Sequence, residues 1–447
     1  MKRIIPIILQ KKKDIVEEEY PYPYCYSACD LEAKGSEHFP VLYMHPVNGD
    51  QDKVERAKNY DENKTYFTRE FGDNVDDWNS HNSPSRTSRS WGETPMLIQA
   101  QHYAHPYYPY TSLETLHRQT PQHVGGSLWH PFDHQRGYHP DAFYGGIMDA
   151  FRQPKLSYYM FASQRDPNET SALYETGPMV HIAHTMTPFS SRDVTVYSNC
   201  DEVRLTIFEN GKQLIYKKEP RSKGMPNPII TFKDAFDVMQ DKALASARKH
   251  DQSYLLAEGY MNGKLVAEHK VYPARRTHKI VLEADTENMP PKADGGDVIT
   301  IIASVTDEKG NVKRLNNSYI HFEVVGEGEL ISNEAAMLNP APVHWGTAPV
   351  LLRTTTKEGV VKIKASMLKE GEHVPLSGEL MIKSVAPDCP MIFSEKEMAA
   401  QQSNESNQQQ IPTSISDCEK ELQQVKQELN KLKLQEVSRQ QEDFGER

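Results

Sequence analysis

A chain of 447 residues is long for one core and is expected to form two to four domains. With 25% charged and 37% hydrophobic residues and a mean hydropathy of -0.69, the composition is that of a soluble protein. The net charge of -11, with no Lys/Arg stripe interleaved with aromatics, excludes a nucleic-acid partner, and no apolar run approaches the roughly 20 residues that span a bilayer.

The N-terminal Met1–Leu9 is apolar but runs at once into Gln10-Lys11-Lys12-Lys13. It falls short of the roughly 7–15 apolar residues and small-residue cleavage site of a secretory signal, so the chain reads as cytosolic or as an abnormal start. Cys25, Cys29, Cys200, Cys389 and Cys418 are too scattered for a disulfide framework. Cys25 and Cys29 lack the second ligand pair that a zinc site needs.

Up to about residue 165 the texture mixes strand-like and helical pieces. Val41–Met44 and Tyr66–Thr68 read as buried strands, Thr94–Tyr103 as a helix with Pro95 in its first turn, Leu128–Phe132 as a third strand, and Tyr144–Phe151 as the start of a closing helix. That alternation suits parallel strands. From about Pro188 the chain turns to short strands. Asp193–Ser198 and Val203–Phe208 alternate, and Asn210-Gly211 and Asn262-Gly263 are hairpin turns because Asn-Gly accepts positive φ. This predicts a β-sandwich over 186–276, with a helical insert around Phe232–Arg248. A second β module over 277–387 carries strands at Lys279–Ala284, Val298–Val305, Ile320–Val325 and Val360–Ser366. Its turns fall at Asp307–Gly310 and Lys357–Gly359. Residues 388–415 form a polar linker, and 416–441 a helix whose Leu422, Val425, Leu429 and Leu432 make an a/d seam for docking or self-association.

The chemistry concentrates in the first zone. Glu70 follows a β-rich run and stands before Phe71-Gly72, a lone carboxylate at a strand mouth; the plain alternative is a surface glutamate paired with Arg69. Glu93 reads as helix-dipole chemistry at the start of a helix. Trp129 follows Gly125-Gly126 and opens a loop crowded with His130, Phe132, Asp133, His134, Arg136 and Tyr138. Aromatic planes beside charged hydrogen-bond partners suit a sugar. His130, Asp133 and His134 could also be combined into a metal site, but Pro131 and Gly137 break the helical spacing, so no metal is assigned. The long loop Asp73–Arg89, with Trp78, is a functional candidate by its length.

Three segments carry a family resemblance: Thr68–Asp73, Gly125–Trp129, and Gly146–Asp149 leading to Arg152–Lys155 with Tyr158-Tyr159. They resemble the C-terminal half of the catalytic barrel of glycoside hydrolase family 2, the β-galactosidase-like family. The β modules resemble that family's accessory sandwiches, the second of them immunoglobulin- or invasin-like. The resemblance implies a partial (β/α)8 TIM barrel over 36–165, two immunoglobulin-like β-sandwiches and a C-terminal helix, with 1–35 unassigned.

It further implies retaining hydrolysis of a β-linked oligo- or polysaccharide, with no cofactor. Glu70 would be the nucleophile, Trp129 the floor of the sugar subsite, and Arg69, Trp78, His130 and Asp133 would line the substrate. The family's acid/base lies in an Asn-Glu pair upstream of the nucleophile, and no such pair precedes Glu70; Asn168-Glu169, Asn333-Glu334 and Asn404-Glu405 all follow it. The expectation is therefore a truncated enzyme that lacks its acid/base. The alternative is a non-catalytic carbohydrate-binding or adhesion protein.

Overall fold

A computed structural model of the chain describes residues 4–20, 36–43, 47–49, 54–56, 61–72, 84–105, 113, 122–135, 142–208, 212–218, 225–240, 252–286, 289–331, 339–368 and 374–388. The expected helix at 416–441, the Asn210-Gly211 turn, Trp78, Arg136 and Tyr138, and the cysteines other than Cys200 lie outside the described residues. Cys200 is a buried free thiol. No helix among the described residues is long and apolar enough to cross a membrane.

The chain opens with helix α1 (Ile4–Glu19). Strands β1 (Val41–Tyr43), β4 (Thr65–Phe71) and β5 (His123–Leu128) then form a parallel sheet in the order β1-β4-β5, while β2 (Val47–Gly49) and β3 (Val54–Arg56) pair as a separate hairpin. Helix α2 (Glu93–Ala104) lies in the connection from β4 to β5, and α3 (Leu156–Ala162) follows β5. This is the βα alternation that a parallel sheet requires. Phe71 packs with Met96, Ala100 and Tyr103 of α2 and Leu156 and Met160 of α3, so the carboxyl end of β4 meets the helices.

Two expectations for this region are corrected. The third strand ends at Leu128 rather than beginning there. Gly125 and Gly126 lie inside it, and a side chain at Gly126 would press on Thr68, 3.1 Å from that residue's Cβ. Beyond Trp129 the chain leaves the ladder, because Pro131 has no N–H to give; its carbonyl instead accepts the Met148 N–H at 3.1 Å. The stretch Tyr144–Phe151 is not helical. Gly145-Gly146 favours no helix, and the Asp149 carboxylate takes the N–H groups of Phe151 and Gln153, both at 2.9 Å, which turns the chain before Pro154 releases it into α3.

The first sandwich faces sheet β10-β7-β6 against sheet β12-β11-β8-β9. Its strands are β6 (Val180–Ala183), β7 (Val194–Ser198), β8 (Glu202–Ile207), β9 (Lys212–Lys217), β10 (Ile230–Phe232), β11 (Leu255–Met261) and β12 (Lys264–Val271). Strand β6 lies upstream of residue 186 and belongs to this sandwich through its pairing with β7. The core takes Val203, Leu205 and Ile207 from β8 and Val194 and Val196 from β7, as period-2 alternation dictates. Asn262 and Gly263, at φ 50° and 75°, make the tight turn from β11 to β12. Where an insert was expected to be helical, 233–240 are turns and irregular chain, and 241–248 lie outside the described residues.

The second sandwich faces β13-β14-β18-β16 against β17-β15-β19-β20. These are β13 (Lys279–Asp285), β14 (Val298–Thr306), β15 (Tyr319–Gly326), β16 (Gly328–Leu330), β17 (Ala341–Pro342), β18 (Thr347–Thr354), β19 (Val360–Met367) and β20 (Gly378–Lys383). Its core is mostly aliphatic, with Ile301, Ala303, Val305, Ile320, Leu352 and Ile363 fully or almost fully buried beside Phe322. Asp307 holds the expected 307–310 turn, accepting from the Lys309 and Asn311 N–H groups, each at 2.9 Å.

The sandwiches are tied to the parallel sheet's helices by polar bonds between distant parts of the sequence. Arg89 Nη1 donates to Thr347 Oγ1 at 2.8 Å, and that hydroxyl donates onward to Gln153 Oε1 at 2.6 Å. Gln153 Nε2 in turn donates to Asp149 at 2.8 Å. On the other side Tyr159 stacks on His181 at 3.5 Å between centroids, and His181 on His269 at 4.5 Å. One ring column thus joins α3, β6 and β12.

Candidate active site

The site is assembled at the carboxyl edge of adjacent parallel strands. In β4, Thr65-Tyr66-Phe67-Thr68 has the β-branched and aromatic character that favours a strand. Its pairing with β5 sets Thr68 beside Gly126 and Phe71 beside Leu128. Trp129 continues that register, donating its N–H to the Phe71 carbonyl at 3.0 Å. Glu70 is the penultimate residue of β4, so its backbone and that of Trp129 stand on neighbouring strands at the same end of the sheet. Tyr66 and Thr68 are fully buried, and Thr68 Oγ1 meets His123 Nε2 at 2.9 Å, a close pairing behind the strand mouth.

Gly72 ends β4 at φ 93°. A Cβ there would lie 2.7 Å from the Tyr103 ring and 2.9 Å from Leu128 Cδ1, so the glycine lets the turn after Glu70 close onto α2. Tyr103 anchors that helix, its hydroxyl donating to the Gly145 carbonyl.

Trp129 is half-buried, its indole edge-on to His130 and His134 at centroid distances of 5.8 and 6.4 Å; the Trp129–His130 peptide is cis. His130 itself is buried, with Nδ1 2.8 Å from the Phe132 carbonyl and its ring 4.2 Å from that of His134. It is thus packed between the rings of Trp129 and His134. The expected lining residue Asp133 is turned inward. Its Oδ1 accepts from Lys155 Nζ at 2.7 Å and from the Gly146 N–H at 2.9 Å, and Lys155 is fully buried. Burial pushes the Asp133 carboxyl up to about 6 despite the opposing pull of Lys155, and the same desolvation lowers the Lys155 ammonium. Such a pair fixes the loop under Trp129 and commits Oδ1 to the protein; the physical reason is that Lys155 would otherwise be buried unpaired.

Glu93 has more partners than helix-dipole chemistry requires. It is the first residue of α2, is 7% exposed, and its Oε2 accepts from the Thr185 N–H at 2.6 Å, from the Thr185 hydroxyl and from Ser190 Oγ at 2.9 Å. It joins α2 to the first sandwich, which no local signal in the sequence foretells. Of the expected loop Asp73–Arg89, residues 73–83 lie outside the described residues, while Ser85 to Arg89 are buried. Among the described residues no group of three His, Cys, Asp or Glu is placed to hold a metal ion. Sequence reasoning also missed Lys155 and Gln153 as the residues that seat the loop beneath Trp129.

Residues 280–371 match the model of glycoside hydrolase family 2 C-terminal domain 5, which falls on the second sandwich. The chain is 31% identical over 255 residues to a β-galactosidase of Thermoanaerobacter pseudethanolicus, covering 55% of this chain and 32% of that protein. It is 24% identical over 299 residues to β-galactosidase BoGH2A of Bacteroides ovatus, covering 63% and 32%. The chain thus spans 32% of the length of these curated relatives. Among solved structures, a β-glucuronidase from glycoside hydrolase family 2 superposes with a TM-score of 0.57 at 18% identity, covering 86% of this chain and 38% of that one. A family 2 member from Bacteroides cellulosilyticus gives 0.51 at 16%, covering 85% and 47%. The chain is thus similar to a glycoside hydrolase family 2 model over its second sandwich, to two β-galactosidases in sequence, and to family 2 structures in fold.

Proposed function

We propose that this chain carries the nucleophile side of a retaining β-glycosidase pocket of the β-galactosidase type. In this reading strands β1, β4 and β5 are the closing strands of a (β/α)8 barrel, and the two sandwiches, immunoglobulin-like in kind, are its accessory modules. Glu70 attacks the anomeric carbon of a β-linked glycan, the bond to the leaving oxygen breaks, and a glycosyl ester forms on the carboxylate. Trp129 offers the apolar plane on which the sugar ring rests, and Arg69 and Trp78 complete the lining. Water then hydrolyses the ester. The observation that supports the reading is the pairing of β4 with β5, in which the backbones of Glu70 and Trp129 lie at the carboxyl edge of adjacent parallel strands, where barrel enzymes build their sites.

Retaining hydrolysis needs a second carboxyl about 5–5.5 Å from the first to protonate the leaving oxygen. In this reading that acid comes from outside residues 36–165, so the chain by itself acts on substrates whose leaving group needs no proton. The test uses a 2-deoxy-2-fluoro-β-galactoside with a dinitrophenolate leaving group. Incubation with the full chain should add one fluorosugar mass, mapped by peptide mass spectrometry to Glu70, and Glu70→Gln should take up none. Labelling elsewhere, or efficient hydrolysis of an unactivated galactoside by the chain alone, overturns the reading.

A further inference from the structure

Where α3 meets both sandwiches lies a cavity of about 290 Å³. Its wall carries Arg89, Arg314, Lys270, His181, His184 and His269, and no carboxylate is among its lining residues. The imidazoles are engaged elsewhere. His184 Nε2 meets the Ser191 carbonyl at 2.8 Å and its Nδ1 accepts from the Met186 N–H; His181 is held in its ring stack, and His269 Nδ1 accepts from the Ile182 N–H. Lys270 Nζ rests 3.5 Å from the centroid of the Tyr254 ring.

The two arginines differ from these. Arg89 is 6% exposed, and its Nε is buried with no hydrogen-bond partner among the described residues. The nearest carboxylate, Asp149, lies 3.9 Å from Nη1 and gives its oxygens to the Phe151 and Gln153 N–H groups and to Gln153 Nε2. Arg314 donates one bond, from Nη1 to the Trp345 carbonyl at 3.1 Å, and has no carboxylate partner among the described residues. Both guanidiniums lie over the same indole, Arg314 at 4.2 Å and Arg89 at 5.2 Å from the Trp345 centroid. Burial and the charge of Arg89 bring Arg314 down to about 10.

Two like charges in a desolvated wall, with a donor left over, are costly unless an anion joins them. The planar forks of arginine suit the oxygens of phosphate, sulfate or carboxylate. We propose that this cavity is an oxyanion-binding site, in which Arg89 and Arg314 hold either a free inorganic anion or the acidic group of a sugar. Because its walls come from α3 and both sandwiches, the bound anion fastens the modules together. The site does not depend on any role for Glu70.

The test is calorimetric titration and thermal unfolding of the full chain in 0–10 mM sodium phosphate, at ionic strength held constant with chloride. Parallel arms use sulfate, glucuronate, galactose 6-sulfate and neutral galactose. Saturable binding of at least one oxyanion is expected, with none for galactose or chloride. Anion at 100 times its dissociation constant should favour the folded state about 100-fold. Arg314→Gln should weaken binding at least tenfold. Val312→Glu, which adds a carboxylate to the half-buried wall, should abolish it and keeps the test open if the arginine variant does not fold. Tighter binding of phosphate or sulfate assigns a free anion; tighter binding of glucuronate or the sugar sulfate assigns an acidic sugar. Stabilisation that never saturates, or that persists in both variants, is general salt action and overturns the proposal.

Discussion

Lys155 and Asp133 form a 2.7 Å ion pair with side-chain exposures of 0% and 6%, sealed beneath the loop that carries Trp129. Desolvation outweighs the attraction at both ends, since the carboxyl is raised and the ammonium lowered. Breaking the pair from one side should therefore be severe. Lys155→Met leaves a buried carboxylate and is expected to cost about 3–5 kcal/mol, whereas Lys155→Met with Asp133→Leu should recover most of that loss. Urea unfolding of the two variants decides the matter, and equal stabilities would refute the assignment.

Gly72 admits no side chain without movement. With φ at 93° and the Tyr103 ring 2.7 Å from a built Cβ, Gly72→Ala should destabilise by about 1–3 kcal/mol and displace the end of β4. A lower melting temperature together with slower fluorosugar labelling is expected. A variant that melts earlier but labels at the original rate would show that the turn does not position Glu70.

Trp129→Ala removes the proposed sugar platform while leaving β5 intact, because its contribution to the ladder is a backbone N–H. The second-order labelling rate should fall about tenfold, equivalent to about 1.4 kcal/mol. Trp129→Phe should recover part of the rate. An unchanged rate in the alanine variant would remove Trp129 from the pocket.

Acid should loosen the ring column at the first sandwich. Burial, followed by the neighbouring His269, holds the His181 imidazole well below its ordinary 6.5, and burial also lowers His269. A histidine with a depressed folded pKa stays neutral in the native state while the unfolded chain takes up a proton. Its contribution to stability is thus complete above about 6.5 and is lost as pH falls below it, by up to about 1.4 kcal/mol per pH unit. Asp133 works the other way: its raised carboxyl costs stability above about 6, and that cost fades as pH falls toward 3.8. His181→Phe keeps the stack and removes the proton site, so comparing its unfolding with the wild type at pH 7.5 and 5.5 isolates the histidine. The variant should lose less stability on acidification; identical slopes would contradict this.

Alternation made the sandwiches legible. Val203, Leu205 and Ile207 are buried while Glu202, Arg204 and Thr206 are only half-buried, and the run of β14 follows the same rule. The Thr68–Asp73 segment likewise marked a strand mouth because strand formers give way to a glycine. The partner of Asp133 was not legible, for a reason local sequence cannot supply. A carboxylate in a polar loop looks solvated unless its partner is known, and Lys155 stands 22 positions away. The partnership of Arg89 with Thr347 spans 258 positions. The end of β5 was displaced because Gly-Gly, usually a turn, serves here to let two parallel strands approach.

The chain of bonds from Arg89 through Thr347 and Gln153 to Asp149 has a practical bearing on building chimaeras. The second sandwich contributes one hydroxyl, which takes the Arg89 guanidinium on one side and donates to the Gln153 amide on the other, and that amide is held by Asp149. An exchange of the module that keeps threonine at position 347 should graft cleanly, whereas a splice at the apparent boundary that discards it strands a buried guanidinium in the recipient. The natural cassette for recombination therefore includes residues 149–155 along with the sandwich they receive.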